Sequence, residues 1–182
     1  MKLLVANRGE IAIRIMRGAA ELEIATVAVA PEDDAGSLHT GKADEVVTLT
    51  GIGTAAYLDI AQLIAVAKDM GCDAIHPGYG FLSENAEFAK AVVKAGMIWV
   101  GPPVDAIESM GSKTAARRTM AAAGVPIVPG TTEPLIDLDQ AEGIAADIGY
   151  PIMLKASAGG GGKGMRLVHS PKELRSAITA AQ

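Results

Sequence analysis

The sequence predicts an α/β fold in which an open parallel sheet is followed by a smaller α+β unit. Short apolar runs alternate with amphipathic stretches over the first hundred residues, as expected for alternating strands and helices. The links between them are short, which favours parallel strands joined by right-handed crossovers. Aromatic residues make up only 3% of the 182 residues, and the abundant small side chains let helices pack closely on a sheet.

The first half of the chain is predicted to form a Rossmann-like domain. Its strands are the apolar runs at residues 3–6, 26–30, 45–49, 74–76 and 98–100. Helices are predicted where apolar residues recur at three- and four-residue spacing, at residues 10–22, 58–70 and 85–94. In the first helix, the residues expected to face the core are Ile11, Ile15, Ala19 and Leu22.

The second half has a different predicted architecture. Two short helices in succession, residues 104–110 and 113–123, lead into a proline-punctuated extended segment. The unit that follows contains a helix at 137–148, strands at 152–156 and 165–169, and a helix that opens with the capping box Ser170-Pro171-Lys172-Glu173. We therefore divide the chain into a Rossmann-like domain at residues 1–111, a helical connector at 112–129 and a second unit at 130–182.

The composition excludes several classes of protein. The formal net charge is −5, and no basic stripe interleaved with aromatic residues is present, which argues against a nucleic-acid partner. The single cysteine, Cys72, lies in an apolar run and is predicted to be a packed core thiol. No apolar run is long enough for a membrane span, and the N-terminal one is too short for a signal peptide. We expect a cytoplasmic protein without a membrane segment.

The most informative stretch is the glycine-rich loop at residues 159–164, which apolar strands flank on both sides. A P-loop is excluded because Gly164, rather than Ser or Thr, follows Lys163. The dinucleotide-binding glycine pattern is present, but a strand follows it instead of the required helix. A flexible linker would not need flanking strands.

A glycine-rich hairpin that folds over phosphates fits this context best. Glycines let backbone N–H groups approach an anion, and Lys155 on the preceding strand can reach the phosphates as a point charge. Protein kinases use such a loop, but the chain has no His-Arg-Asp or Asp-Phe-Gly element.

Four motifs occur in order along the chain. They are Ala6-Asn7-Arg8-Gly9-Glu10-Ile11-Ala12, His76-Pro77-Gly78-Tyr79-Gly80-Phe81-Leu82-Ser83-Glu84-Asn85, Met110-Gly111-Ser112-Lys113, and Lys155-Ala156-Ser157 with Gly164-Met165-Arg166. Together they resemble biotin carboxylase, the ATP-grasp component of acyl-CoA carboxylases and pyruvate carboxylase, over essentially the whole chain. The resemblance implies a Rossmann-like (pre-ATP-grasp) domain followed by an incomplete α+β ATP-grasp lid, the B domain of that family.

The resemblance implies an ATP-dependent ligase that uses MgATP and bicarbonate to carboxylate biotin on a carrier protein. It implies phosphate-binding roles for Lys113 and Lys155, loop closure by Gly161 and Gly162, and adenine packing by Met165. The implied biotin and bicarbonate pocket contains Tyr79, Gly80 and Glu84, and the implied dimer-facing helix carries Arg14, Arg17 and Glu21. The implied partners are a biotin carboxyl carrier domain, a carboxyltransferase and a second copy of the enzyme.

No catalytic residue or magnesium ligand is assigned within the chain, because in that family these groups lie further along. We therefore expect an N-terminal fragment that is inactive alone. Two alternatives remain, a non-catalytic binding or dimerisation module and another ATP-grasp ligase resembling carbamoyl-phosphate synthetase. Ala158 stands where the family commonly has a glycine, so a small effect on lid closure is expected.

Overall fold

The computed structural model describes residues 1–111, 113–131, 135, 137–155 and 165–179, without the side chains of residues 113 and 114. The chain divides into two compact units, Met1–Glu108 and Ser109–Gln182. The helix of the predicted connector, at residues 113–123, therefore belongs to the second unit.

The first unit contains a five-stranded sheet, and all its strand pairs are parallel. The strands are β1 (Lys2–Val5), β2 (Ala25–Pro31), β3 (Glu45–Leu49), β4 (Ala74–His76) and β5 (Ile98–Trp99). Their order is β3-β2-β1-β4-β5, which confirms the predicted open parallel sheet. The chain adds β2 and β3 on one side of β1 and then β4 and β5 on the other side. This change of direction leaves a crevice beyond the carboxyl ends of β1 and β4, where open α/β sheets bind ligands.

Four helices accompany this sheet, and three of them were predicted. They are α1 (Gly9–Glu21), α2 (Gly53–Tyr57), α3 (Ile60–Asp69) and α4 (Ala86–Lys94). Asp59 and Asn85 cap α3 and α4, because their side chains accept hydrogen bonds from backbone N–H groups in the first turn. The short helix α2 was missed, since five residues are too few to show helical periodicity. The first unit also contains two 3-10 turns, Glu32–Asp34 and Thr40–Lys42.

Helix α1 buries a stripe that overlaps the predicted one in part, since Ala19 is buried and Ile15 packs, partly buried, against a core cluster. Its buried residues are Ala12, Met16 and Ala19, whereas Leu22 lies beyond the end of the helix and is 72% exposed. Ala12 and Met16 belong to a buried cluster with residues of β1 and β2, so α1 packs on these strands. The prediction for Leu22 was wrong because periodicity was extended one residue past the last helical turn.

The opposite face of the sheet carries the larger core. Leu4, Val27 and Ile75 from the strands form one buried cluster with Leu63 of α3 and Phe88 of α4. Cys72 joins this cluster and is 8% exposed, as predicted for a core thiol. Its burial raises the pKa of the thiol above the ordinary value, which makes it a poor nucleophile.

The second unit is α+β, with a two-stranded antiparallel sheet. Its elements are α6 (Lys113–Ala122), α7 (Leu138–Ile148), β6 (Ile152–Leu154), β7 (Arg166–Val168) and α8 (Pro171–Thr179), and α5 (Val104–Gly111) runs across the boundary between the units. Its buried cluster is small, with Ala145, Val168 and Leu174 at the centre.

The predicted capping box at α8 differs in one contact. The Glu173 carboxylate accepts a hydrogen bond from the backbone N–H of His169 at 3.0 Å, one residue before the position that the motif predicts.

Within the described ranges, none of the helices has the length and apolar character needed to cross a bilayer.

Candidate functional site

Asn7 joins the loop that follows β1 to the loop that follows β4. Its side chain is 3% exposed, and its amide Nδ2 donates to the carbonyl oxygens of Pro77 at 2.6 Å and Tyr79 at 2.9 Å. Its Oδ1 accepts from the backbone N–H of Arg8 at 2.8 Å. The parallel pairing of β1 with β4 makes these contacts possible, because it places Val5 beside His76.

Two glycines allow the β4 loop to pass this close to Asn7. Gly78 has a φ of +67°, and a Cβ at this position would lie 2.8 Å from Nδ2 of Asn7. Gly80 has a φ of +65°, but the space where its Cβ would point is open. Both the lack of space for a Cβ and the positive φ therefore require glycine at position 78. At Gly80 the absence of a Cβ instead leaves the backbone accessible to a ligand in the pocket.

His76 stabilises the start of this loop and does not face the pocket described below. Its Nδ1 accepts a hydrogen bond from the backbone N–H of Gly78 at 3.0 Å. Burial lowers the pKa of His76 below its ordinary value, so the ring is neutral with its proton on Nε2. His76 therefore has a structural role at the end of β4.

A pocket of about 280 Å³ opens where these two loops meet. It is lined by Asn7, Arg8, Glu10, Ile11, Tyr79, Gly80 and Phe81. We call it the β4-loop pocket. Of the three residues assigned to the implied biotin and bicarbonate pocket, Tyr79 and Gly80 line the β4-loop pocket, whereas Glu84 is exposed and lies outside its lining.

Tyr79 bridges the β4 loop to helix α1. Its ring is 62% exposed, and its hydroxyl donates a short hydrogen bond to Oε1 of Glu10. This hydrogen bond, together with the negative charge of Glu10, raises the pKa of Tyr79 above its ordinary value. The phenol is therefore protonated at neutral pH and presents an aromatic face at the pocket rim.

Behind the pocket, Arg8 forms a bidentate ion pair with Asp34. Its Nη2 and Nε each lie 3.0 Å from a carboxylate oxygen of Asp34. Burial alone would raise the pKa of Asp34, but hydrogen bonds from Ser37 and Tyr57 and the charge of Arg8 together lower it. Burial and the hydrogen bond to Asp34 raise the pKa of Tyr57, so its hydroxyl remains a donor. This network involves the ends of β1 and β2 and the helix α2.

The exposed face of α1 forms a shallow groove of about 620 Å³. Arg14, Arg17 and Glu21, the residues implied to face a second copy, lie in it together with Glu10, Ile13 and Gly18. We call this the α1 groove. It carries both signs of charge on one helix face.

In the second unit, Lys155 and Met165 lie at the same end of the β6–β7 hairpin. Leu154 pairs with Arg166 in the antiparallel register, so the next positions along the two strands are Lys155 and Met165. Both side chains are exposed. Lys113 begins α6, but its side chain lies outside the described residues, as do Gly161, Gly162 and Ala158.

No group of three or more His, Cys, Asp or Glu residues that could hold a metal ion occurs within the described part of the chain.

Sequence reasoning missed five of the seven residues that line the pocket, namely Asn7, Arg8, Glu10, Ile11 and Phe81. All five lie in the first two of the four motifs, so a signal was present, but no role in the pocket was assigned to them. Their roles depend on contacts between loops about 70 positions apart in sequence, which motif spacing does not reveal.

Comparison with known proteins finds a family model for each part of the chain. Residues 1–107 match the family model "Biotin carboxylase, N-terminal domain". Residues 112–182 match the model "Carbamoyl-phosphate synthase L chain, ATP binding domain".

Similar curated proteins include a biotin carboxylase of Halalkalibacterium halodurans, 52% identical over the whole chain and 40% of that protein. The mitochondrial pyruvate carboxylase of Mus musculus is 52% identical over 99% of the chain and 15% of that protein. The chain thus spans well under half the length of these relatives.

Solved structures agree with this relationship. The biotin carboxylase domain dimer of Hydrogenobacter thermophilus 2-oxoglutarate carboxylase, in complex with MgADP, ADP and bicarbonate, matches 99% of the chain at a TM-score of 0.93 and 44% identity. A biotin carboxylase from Campylobacter jejuni matches 99% of the chain at 0.93 and 41% identity. The chain covers 40% and 41% of these two proteins. From its fold, its motifs and these matches, the chain belongs to the biotin carboxylase family.

Proposed function

We propose that this chain provides the N-terminal domain and the glycine-loop part of the ATP-binding domain of a biotin carboxylase. Such an enzyme transfers the γ-phosphoryl group of ATP to bicarbonate, which produces ADP and carboxyphosphate. Carboxyphosphate then releases phosphate and CO2, and the CO2 forms a bond to N1 of biotin as that nitrogen loses its proton. The described residues would bind and orient these substrates.

The observation that carries this proposal is the β4-loop pocket. It lies at the carboxyl ends of β1 and β4, where the strand order of an open α/β sheet favours ligand binding. Open space over Gly80 lets a flat ring approach the backbone, and the ring of Tyr79 supplies an aromatic surface beside it. These features suit the bicyclic ring of biotin.

The phosphate side of the proposal depends on the hairpin of the second unit. Lys155 directly follows β6 and is exposed, so its ammonium group can reach an anion. We assign Lys155 and Lys113 to the ATP phosphates, Gly161 and Gly162 to the loop that closes over them, and Met165 to the adenine. These assignments come from the family motifs at the corresponding positions.

The α1 groove is proposed as a contact with a second copy of the enzyme. An isologous interface must be complementary to itself, and this groove carries two arginines and two glutamates on one helix face. Further proposed partners are a biotin carboxyl carrier domain, which brings biotin to the β4-loop pocket, and a carboxyltransferase that receives the carboxyl group.

A second candidate function is another ATP-grasp ligase of the carbamoyl-phosphate synthase type. It is favoured by the match of residues 112–182 to an ATP-binding model named for that enzyme. The match of residues 1–107 to the biotin carboxylase N-terminal domain favours the first candidate.

A chimera distinguishes these candidates. The aligned 182 residues of the Halalkalibacterium halodurans biotin carboxylase are replaced by this chain, which is 52% identical to them. We expect ADP formation that requires bicarbonate and increases with free biotin, together with transfer of ¹⁴C from bicarbonate to biotin. A folded chimera whose ADP formation ignores biotin but responds to ammonia would support the second candidate and contradict the first.

A further inference from the structure

Phe81 adopts a backbone conformation that aromatic residues rarely take. Its φ is +45°, in the left-handed region, where the Cβ of an L-residue crowds the neighbouring carbonyl oxygen. Only one other non-glycine residue of the described part has a positive φ, and Phe81 is the one that lines the β4-loop pocket. Such strain persists only where surrounding contacts hold it, and it concentrates at functional sites.

The ring of Tyr57 makes the most direct contact that holds Phe81. The two rings are stacked, with centroids 5.4 Å apart and planes only 3° from parallel. Tyr57 is 1% exposed and belongs to the main core of the first unit, so its ring is a fixed surface. Phe81 is partly buried against that same core.

Tyr57 is itself held at its hydroxyl end by Asp34. The hydroxyl donates to Oδ2 of Asp34 at 2.7 Å, and the Asp34 side chain is only 12% exposed. The same carboxylate receives both nitrogens of Arg8 and the hydroxyl of Ser37. The Arg8 guanidinium also lies 5.7 Å from the centroid of the Tyr57 ring.

We propose that Asp34 and Tyr57 are positioning residues for the β4-loop pocket, because they hold Phe81 in its left-handed conformation and so keep the pocket wall formed before a ligand binds. Neither residue lines the pocket. They act through Phe81, and through Arg8, which lines the pocket and pairs with Asp34. The expected effect of these two residues on biotin binding rests on the proposed function, whereas their effect on the backbone conformation of Phe81, the conformational part of the proposal, does not.

The conformational part is tested by NMR on the 182-residue chain. A residue with positive φ shows a strong intraresidue NOE between its amide and α protons. We expect this signal at Phe81 in the wild type and in Tyr150→Phe, a matched loss of a tyrosine hydroxyl in the second unit. Tyr57→Leu removes the stacked ring and should weaken the NOE to the level of ordinary residues. Tyr57→Phe keeps the ring and should show an intermediate signal.

If the NOE at Phe81 is as strong in Tyr57→Leu as in the wild type, the proposal is overturned. Should Tyr57→Leu fail to fold, Tyr57→Phe and Asp34→Asn decide the question, because both keep the ring. A wild-type NOE at Phe81 in both of these variants would equally overturn it.

The consequence for binding is tested in the chimera described above. Tyr57→Leu should raise the KM for biotin about fivefold, because binding must then restore the strained conformation, while the KM for ATP stays unchanged. The decisive comparison uses Phe81→Gly as the parent variant, because glycine adopts a positive φ without contacts that hold it there. In that background, Tyr57→Leu should have little further effect on the KM for biotin.

Equal changes in the KM for biotin and ATP would indicate a general structural role and contradict the proposal, as would an equal effect of Tyr57→Leu in both backgrounds. A wild-type chimera without biotin-dependent turnover would instead count against the proposed function. The NOE at Phe81 would still decide the conformational part in that case.

Discussion

The side-chain amide of Asn7 donates a hydrogen bond to the carbonyl oxygen of Tyr79 at 2.9 Å, across 72 positions of sequence. This contact, with the one from Asn7 to Pro77, ties together the two loops that form the β4-loop pocket. Asn7 is almost fully buried, so its side-chain amide is held in place by these contacts. The pocket therefore depends on one amide at the end of β1.

Replacement of Asn7 by Ala should destabilise the first unit by about 1–3 kcal/mol, because two carbonyl oxygens and one N–H group lose their partner. Urea unfolding followed by the fluorescence of Trp99 measures this change. Trp99 is the only tryptophan of the sequence, and it packs edge to face on Phe88. Asn7→Asp is the matched control, since it keeps the acceptor for Arg8 but loses the donor, and it should also be destabilised. A loss below about 0.5 kcal/mol in the alanine variant would contradict this account.

The two glycines of the β4 loop should respond differently to alanine. A Cβ at position 80 meets open space, so Gly80→Ala should lower the free energy of unfolding only by the cost of a positive φ, about 1–2 kcal/mol. Gly78→Ala adds a Cβ 2.8 Å from Nδ2 of Asn7, so it should cost more than Gly80→Ala by the same urea measurement. Combining Gly78→Ala with Asn7→Ala should recover part of the difference, because the clashing side chain is gone. Equal losses for the two glycines would show that the contact with Asn7 is unimportant.

Acid should destabilise the first unit partly through Asp34. The pKa of Asp34 is lower in the folded protein than in the unfolded chain, so its contribution is present above the unfolded value, near 3.8, and disappears as the pH falls through the folded value. We expect the free energy of unfolding to decline below about pH 4. The decline should be shallower in Asp34→Asn and in Ser37→Ala, which removes one donor to the carboxylate. Wild-type pH dependence in both variants would argue against this assignment.

Lys155→Ala in the chimera should raise the KM for ATP about tenfold or more, the usual range for losing a contact to a charged group. The KM for biotin should change little, because Tyr79 and Gly80 would be untouched. Lys113→Ala should behave in the same way if both lysines hold phosphates. The control is Lys172→Ala, an exposed lysine in α8, for which we expect wild-type kinetics. ATP kinetics that Lys155→Ala leaves unchanged would refute its assignment.

The second unit should exchange its amide hydrogens faster than the first. Among the described residues, its buried cluster centres on three side chains, whereas the main cluster of the first unit contains fifteen. Hydrogen exchange measured by mass spectrometry should show low protection in peptides covering β6, β7 and α8, and high protection in β1, β2 and β4. Uniformly high protection across both units would contradict this expectation.

The sequence predicted the strands well, because each is a short apolar run bounded by turn residues. β3 and β4 have the predicted bounds, and the helices at residues 85–94 and 137–148 begin one residue later than predicted, after the capping residues Asn85 and Asp137. The buried face of α1 was predicted only in part. Ala19 is buried as predicted, but Leu22 is exposed because the helix ends at Glu21, and apolar periodicity does not locate that end.

Local pattern by itself determined the element order, the parallel sheet and the family, since periodicity and motifs are properties of neighbouring residues. Only the tertiary structure decided which side chains meet. It brought Asn7 to Tyr79 through the pairing of β1 with β4, and it placed Tyr57 between Asp34 and Phe81. Tyr57 shows the physical reason. It lies in a helix too short to show periodicity. Its partner Asp34 lies 23 positions earlier in the sequence and its partner Phe81 lies 24 positions later, so no local pattern connects them.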